Sequence, residues 1–151
     1  MNDVAITDEI TINAPIAAVW EAIQTPAEHA RWHPYVSQID GEHQLGQTRE
    51  CTVLVGKKEG RTLERCVEYE AGHRIFWTIE EDSTGFGRMV SGWCAGFTLE
   101  ERDGVTAVSA ESRFRPRNIA VRAMLPLIRR KFHQTQRDIL GGLEKATARG
   151  D

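Results

Sequence analysis

The stretch from Asn118 to about Ala148 constrains the fold most. Val121, Met124, Leu125, Ile128, Phe132, Thr135, Ile139 and Leu143 recur at spacings of three and four, which puts them on one face of a helix. Arg122, Arg129, Arg130, Lys131, Arg137 and Lys145 fall largely on the other face. Asn118 suits the N-cap. Pro126 lies inside the pattern; it removes a donor, so it kinks the helix or divides it. The longer piece is then Pro126–Ala148, with proline at its first position. A helix this long and one-sided is held by packing rather than by propensity, so the upstream chain has to supply a matching apolar surface.

Val4–Ile12 reads as a strand. Val4, Ile6, Ile10 and Ile12 share one parity, and Asp8 interrupts it. Asn13-Ala14-Pro15 ends the strand and starts a helix with the stripe Ile16, Val19, Trp20 and Ile23. A second helix start follows at Thr25, with Pro26 at its first position and Glu28 completing a capping box. That helix ends by His33-Pro34, because proline disfavours helix in the residue before it. From Tyr35 the period shifts toward two. Strands are expected near Val36–Asp40, Thr48–Val55, Arg61–Glu70, Arg74–Glu80, Arg88–Glu100 and Val105–Phe114, separated by glycine-bearing turns. Asp103-Gly104 is the strongest hairpin signal, and strands joined by short turns form an antiparallel meander.

Centring each hairpin on its turn gives the faces. Leu99 falls opposite Val108, Phe97 opposite Ala110, Trp93 opposite Phe114, Trp77 opposite Ser91, Cys66 opposite Trp77, and Cys51 opposite Cys66. Residues opposite one another share a face. One face therefore collects Val53, Cys66, Ile75, Trp77, Ile79, Trp93, Phe97, Leu99 and Phe114, the seat for the long helix. A bulge would flip everything beyond it. The same arithmetic puts Arg49, Glu64, Glu68, Ser91 and Ser112 on the apolar face, with Arg49 opposite Glu68. Charges there need partners, water or a ligand. They mark either a wet sheet edge or the lining of a cavity beneath the helix.

The order of elements is that of the helix-grip fold. ITINAPIAAVWEAIQTPAEHARWHPYV (Ile10–Val36) resembles the opening of the START-like superfamily, in particular its polyketide cyclase/dehydrase and lipid-transport branch. The matching residues are Ala14-Pro15, Val19-Trp20, Thr25-Pro26 with Glu28, and Trp32-His33-Pro34. ERCVEYEAGHRIFW (Glu64–Trp77) is similar to the family's central hairpin. The resemblance implies an α+β fold: a seven-stranded curved antiparallel sheet wrapped around the C-terminal helix, with two short helices between the first two strands. It also implies a space between sheet and helix that holds a hydrophobic ligand. The family includes lipid and hormone carriers, aromatase/cyclases, plant defence proteins and chaperone activators, and has no single catalytic signature. The resemblance places the pocket at Trp32 and His33, at Trp77 and Trp93 on the sheet, and at Ile128, Phe132 and Gln136 on the helix.

The 151 residues suit a single domain, 1–151. A net charge of -3 gives no broad basic surface for nucleic acid. No run of about 18 apolar residues suggests a stable membrane insertion, and the acidic Met1–Glu9 has no signal layout. The three cysteines, Cys51, Cys66 and Cys94, form no CxxC pair, so neither a zinc site nor a disulfide scaffold is expected. Cytoplasm is the expected compartment, and a homodimer is left open. His29 and His33 are four apart, a ligand spacing, but Pro34 ends the helix and no acid completes a metal site. No metal and no cofactor are expected. His33 is the candidate acid or base, with Glu64 and Arg49 as the other catalytic candidates. The ligand-binding set is Trp32, His33, Arg49, Glu64, Cys66, Glu68, Trp77, Ser91, Trp93, Ile128, Phe132 and Gln136. The leading expectation is a carrier of a hydrophobic small molecule (lipid, polyketide or aromatic). The alternatives are a cofactor-independent cyclase or dehydratase, and an interaction module that presents its arginine-bearing helix face to a partner.

Overall fold

The computed structural model describes residues 3–149; the ends of the expected 1–151 span lie outside the described residues. Strand β1 (Val4–Ile12) is followed by helices α1 (Ile16–Gln24) and α2 (Pro26–Trp32). Six strands come next: β2 (Val36–Gly41), β3 (Thr48–Val55), β4 (Lys58–Glu70), β5 (Arg74–Asp82), β6 (Val90–Arg102) and β7 (Val105–Pro116). Helices α3 (Ile119–Ala123) and α4 (Leu125–Thr147) close the chain. The strands form one antiparallel sheet in the order β1-β7-β6-β5-β4-β3-β2. It is the curved seven-stranded sheet of the helix grip.

The terminal segment breaks where proline requires it. Asn118 caps α3, its side chain accepting from the Val121 N–H at 2.9 Å, and Pro126 opens α4. The expected capping box at α2 does not form. Thr25 donates instead to Glu21 at 2.7 Å, and Glu28 pairs with Arg31 at 2.5 Å.

Two hairpins are displaced from the expected register. Cys51 pairs with Thr62 rather than Cys66, and Trp77 with Ala95 rather than Ser91. Each displacement is by four residues. An even slip leaves every side chain on its own face, so the apolar face survives. Cys66 opposite Trp77, Leu99 opposite Val108, and Phe97 opposite Ala110 stand as expected.

The ladders contain four bulges, and two of them move expected site residues off the apolar face. One lies between Ser91 and Cys94, where Gly92 adopts φ +61°, a conformation that costs glycine little. It turns Ser91 away from the helix side and Val90 toward it, where Val90 is buried. The other lies between Cys66 and Glu68. Glu68 therefore leaves the apolar face and pairs with Arg74 at 3.1 Å, beside Phe76, while Arg49 meets Glu64 instead.

The buried apolar residues form two separate cores. The larger packs α1 and the end of α4 (Leu140, Leu143) against Ile75, Phe97, Leu99 and Val108. The smaller packs Val121 and Ile128 against Val4, Ile6, Val90 and Phe114. Full burial of residues such as Leu140 and Leu143 contributes about 1.5–3 kcal/mol each. The sheet thus grips α4 near both ends.

Candidate functional site

Between the two cores half of the facing side chains are small. Trp77, Ala95 and Ser112 lie in one row across β5, β6 and β7, and Ile75, Phe97 and Ala110 in the next. Opposite them α4 presents Thr135, Gln136 and Ile139. Alanine and serine cannot reach across to the helix, and a cavity of about 310 Å³ is left. Trp77 and Trp93 form part of its wall. Their indole N–H groups are buried and find no acceptor among the described residues. A buried donor without a partner is costly and rare.

One end of the cavity is polar. Arg49, 6% exposed, donates to Glu64 Oε1 from Nε at 3.1 Å and Nη2 at 2.7 Å, and lies 3.7 Å over the Trp77 ring. Thr62 donates to the other Glu64 oxygen at 2.7 Å. Arg49 Nη1 also meets His43 Nε2 at 2.8 Å. A guanidinium can only donate, so that nitrogen accepts, and His43 Nδ1–H donates to the Ile23 carbonyl at 3.1 Å. His29 Nδ1 donates to the same carbonyl at 2.9 Å. His33 is the other tautomer: its Nδ1 accepts from the Tyr35 N–H at 3.1 Å, so its proton sits on Nε2. Burial, and after it the Arg49 charge, push His33 and His43 down to about 3. The same causes hold His29 well below its ordinary value. This end is therefore a neutral imidazole cluster around one compensated ion pair. Tyr35 lines the cavity and donates to Asp138 of α4; that bond, then burial, pushes the phenol up to about 12.

On the far side, Gln136 Nε2 donates to Asp8 at 2.8 Å and its Oε1 accepts from Ser112 at 2.8 Å. Asp8 also accepts from His133 at 2.8 Å. The acid that interrupts the apolar parity of β1 is thus the anchor of the middle of α4.

The structure gathers His33, Arg49, Glu64, Trp77, Trp93 and Gln136 on the cavity. The other expected residues stand elsewhere. Trp32 is packed into the larger core and donates to the Ala22 carbonyl at 2.8 Å. Cys66 is buried in that core, and Ile128 and Phe132 belong to the smaller one. Ser91 and Glu68 are removed by the two bulges, Ser91 to a separate recess with Glu81 and Arg117. Cys51 and Cys66 are free thiols that do not face each other, and burial pushes Cys51 up to about 11. Neither is an activated nucleophile.

His29, Tyr35 and Ser112 also line the cavity, and His43 backs it; of these the sequence points only to Ser112, as a polar residue on the apolar face. The usable signal was a polar residue at an apolar-parity position, which Ser112 and Asp8 carry. His29 stacks on His33 with ring centroids 5.4 Å apart. Among the described residues no three His, Cys, Asp or Glu side chains gather as a metal site.

Solved structures with this fold are distant in sequence. Ginseng major latex-like protein 151 from Panax ginseng superposes with a TM-score of 0.79 at 10% identity, over 97% of this chain and 99% of its own. The Zhui aromatase/cyclase from Streptomyces sp. R1128 gives 0.73 at 16% identity, over 96% and 94%. The protein TTHA0849 from Thermus thermophilus gives 0.73 at 16%, over 95% and 96%. These are likenesses of fold. No match is found among curated proteins. The sequence profile described as "Polyketide cyclase / dehydrase and lipid transport" matches residues 3–148; the chain belongs to that family.

Proposed function

We propose that the protein binds a compact hydrophobic molecule in the cavity between sheet and α4, with the molecule's polar end toward His33, Arg49 and Glu64. The observation that carries this reading is the hollow itself. About 310 Å³ separates two otherwise well-formed cores, within the range of about 300–1,000 Å³ usual for ligand pockets. The two unpartnered indole donors support it, since an acceptor on the ligand would satisfy them. The family's description, the helix grip and a neighbour described as an aromatase/cyclase agree with a hydrophobic guest.

The polar end suits holding better than turnover. Both Glu64 oxygens are engaged, and an imidazole pushed to about 3 is a weak base at neutral pH. A carrier is therefore the primary reading and a cyclase or dehydratase the secondary one. Native mass spectrometry of freshly purified protein should show a bound small molecule. Uptake of a fluorescent naphthalene sulfonate should change Trp77 and Trp93 emission. The reading fails if no adduct is found and the probe is taken up neither by the native protein nor after mild delipidation. Turnover abolished by His33→Ala or Glu64→Ala, with binding retained, would instead establish the enzyme.

A further inference from the structure

Charge is segregated along the chain. From Arg113 through Arg137 there are eight Arg or Lys residues and no Asp or Glu, although the whole chain carries 19 basic against 22 acidic residues. Arg122, Arg129, Arg130 and Lys131 within this stretch are exposed and reach no carboxylate among the described residues. The same stretch holds the most exposed large apolar residues of the described chain: Ile119 at 82% and Leu127 at 68%, with Met124 at 43%. A single exposed leucine is ordinary. A cluster interleaved with unpaired cations is not.

The position of this cluster gives it meaning. Lys131 lines the cavity. Leu127 stands four residues before it and Met124 three before Leu127, so all three share one flank of the helical segment. Across the mouth, the tip joining β3 to β4 brings Leu54, Val55 and Gly56 to the cavity's edge. Leu54 and Val55 are exposed there, and Lys57 and Lys58 follow. Both sides of the opening thus set basic residues beside apolar ones, although at the tip Glu59 stands opposite Leu54. Asp82 shares this mouth, but its carboxylate accepts from Thr84 and the Gly87 N–H.

We propose that this rim docks the protein peripherally on an anionic lipid bilayer, mouth down. Ile119, Met124 and Leu127 enter the interfacial region, and Arg122, Arg129, Arg130 and Lys131 meet lipid phosphates. An apolar face flanked by Lys and Arg is the composition that lies in a membrane interface. Nucleic acid would satisfy the cations but leave the aliphatic side chains in water, and none of the exposed residues named above is an aromatic for bases to stack on. No helix among the described residues is long and apolar enough to cross a membrane, so the contact is docking and not insertion. It gives an apolar guest a path that avoids water.

The test is co-sedimentation of the full chain with vesicles of phosphatidylcholine alone and of phosphatidylcholine mixed with phosphatidylglycerol, with no guest added. Partition should favour the anionic vesicles and fall with added salt. It should drop about fivefold for each cation removed in Arg129→Gln/Arg130→Gln, and drop similarly in Ile119→Ser/Leu127→Ser. Arg61→Gln, an exposed arginine paired with Glu50, should change nothing. Equal or absent partition to both vesicle types overturns the proposal, as does a loss in Arg61→Gln matching that of the rim variants. So does retention that only an acidic protein, not lipid, can compete. Probe uptake in free solution reads the cavity separately, so failure to dock and failure to bind a guest are distinguishable.

Discussion

Replacing Arg49 tests whether the polar end is buried structure or wet edge. The Arg49 and Glu64 side chains are 7% and 12% exposed and share two hydrogen bonds. Breaking a buried pair by removing one partner costs about 3–5 kcal/mol, because the remaining charge is stranded. An exposed pair costs about 1 kcal/mol or less. Arg49→Met also removes the guanidinium from the Trp77 face and the donor to His43. Urea unfolding should therefore place Arg49→Met and Glu64→Leu each about 3–5 kcal/mol below the parent. At about 2–4 °C per kcal/mol for a chain of this size, that is a fall in Tm of roughly 6–20 °C. The double variant Arg49→Met/Glu64→Leu should be more stable than either single one, since a packed apolar pair replaces a buried ion pair at little cost. Single variants within about 1 kcal/mol of the parent, with additive effects in the double, would refute this. They would return both residues to a solvated sheet edge.

His33 and His43 are pushed down to about 3, against about 6.5 in the unfolded chain. The unfolded state therefore binds more protons between those values. Stability should rise with pH across this window, by up to about 1.4 kcal/mol per pH unit for each histidine, and level off near neutrality. Urea titrations at pH 5 and pH 7 should show the slope, and His43→Asn should reduce it; an unchanged slope would contradict the assignment. Ala110→Leu projects into the hollow and should abolish probe uptake while leaving the fold intact, read by fluorescence and near-ultraviolet dichroism. In α4, a Cβ at Gly141 would meet nothing within 4 Å, while one at Gly142 would lie 2.6 Å from the Trp32 carbonyl oxygen. Gly141→Ala should stabilise by about 0.5–1 kcal/mol, and Gly142→Ala should destabilise by about 1–3 kcal/mol despite its better helix propensity.

Periodicity carried most of the architecture because two features tolerate error. Pro126 and Asn118 set the helix break by local stereochemistry alone, and the hairpins were misregistered only by even numbers. The bulges are where the reading failed. Whether β6 gains a residue at Gly92 is decided by how Trp93 and Val90 pack, which no local pattern contains. The single slip moved Ser91 off the cavity, and its counterpart near Val67 moved Glu68. His43 was missed for a related reason. It lies between β2 and β3, outside any periodic pattern, yet Arg49, six residues on in β3, donates to it. Trp32 looked like a cavity residue by its place in the loop, but the bare backbone of Gly142 lets α2 sit against α4 and draws the indole into the core.

The hollow also bears on stability. A dry cavity costs about 24 cal/mol per Å³ beyond the lost transfer energy. A volume of about 310 Å³ would then cost on the order of 7 kcal/mol, comparable with the whole stability of a typical domain. Such a space does not persist empty and dry. It is wetted from its mouth, or it is filled. Water against Trp77, Trp93, Ile139 and Ala110 is poorly satisfied, so displacing it with an apolar guest is favourable. A guest at one hundred times its dissociation constant adds about 2.7 kcal/mol, which at this chain length raises Tm by roughly 5–11 °C. A thermal-shift screen of aromatic, polyketide-like and single-chain lipid compounds should therefore find ligands directly, and the shift should vanish in Ala110→Leu. If compounds shift the parent and Ala110→Leu equally, they bind elsewhere, and the hollow is not the site.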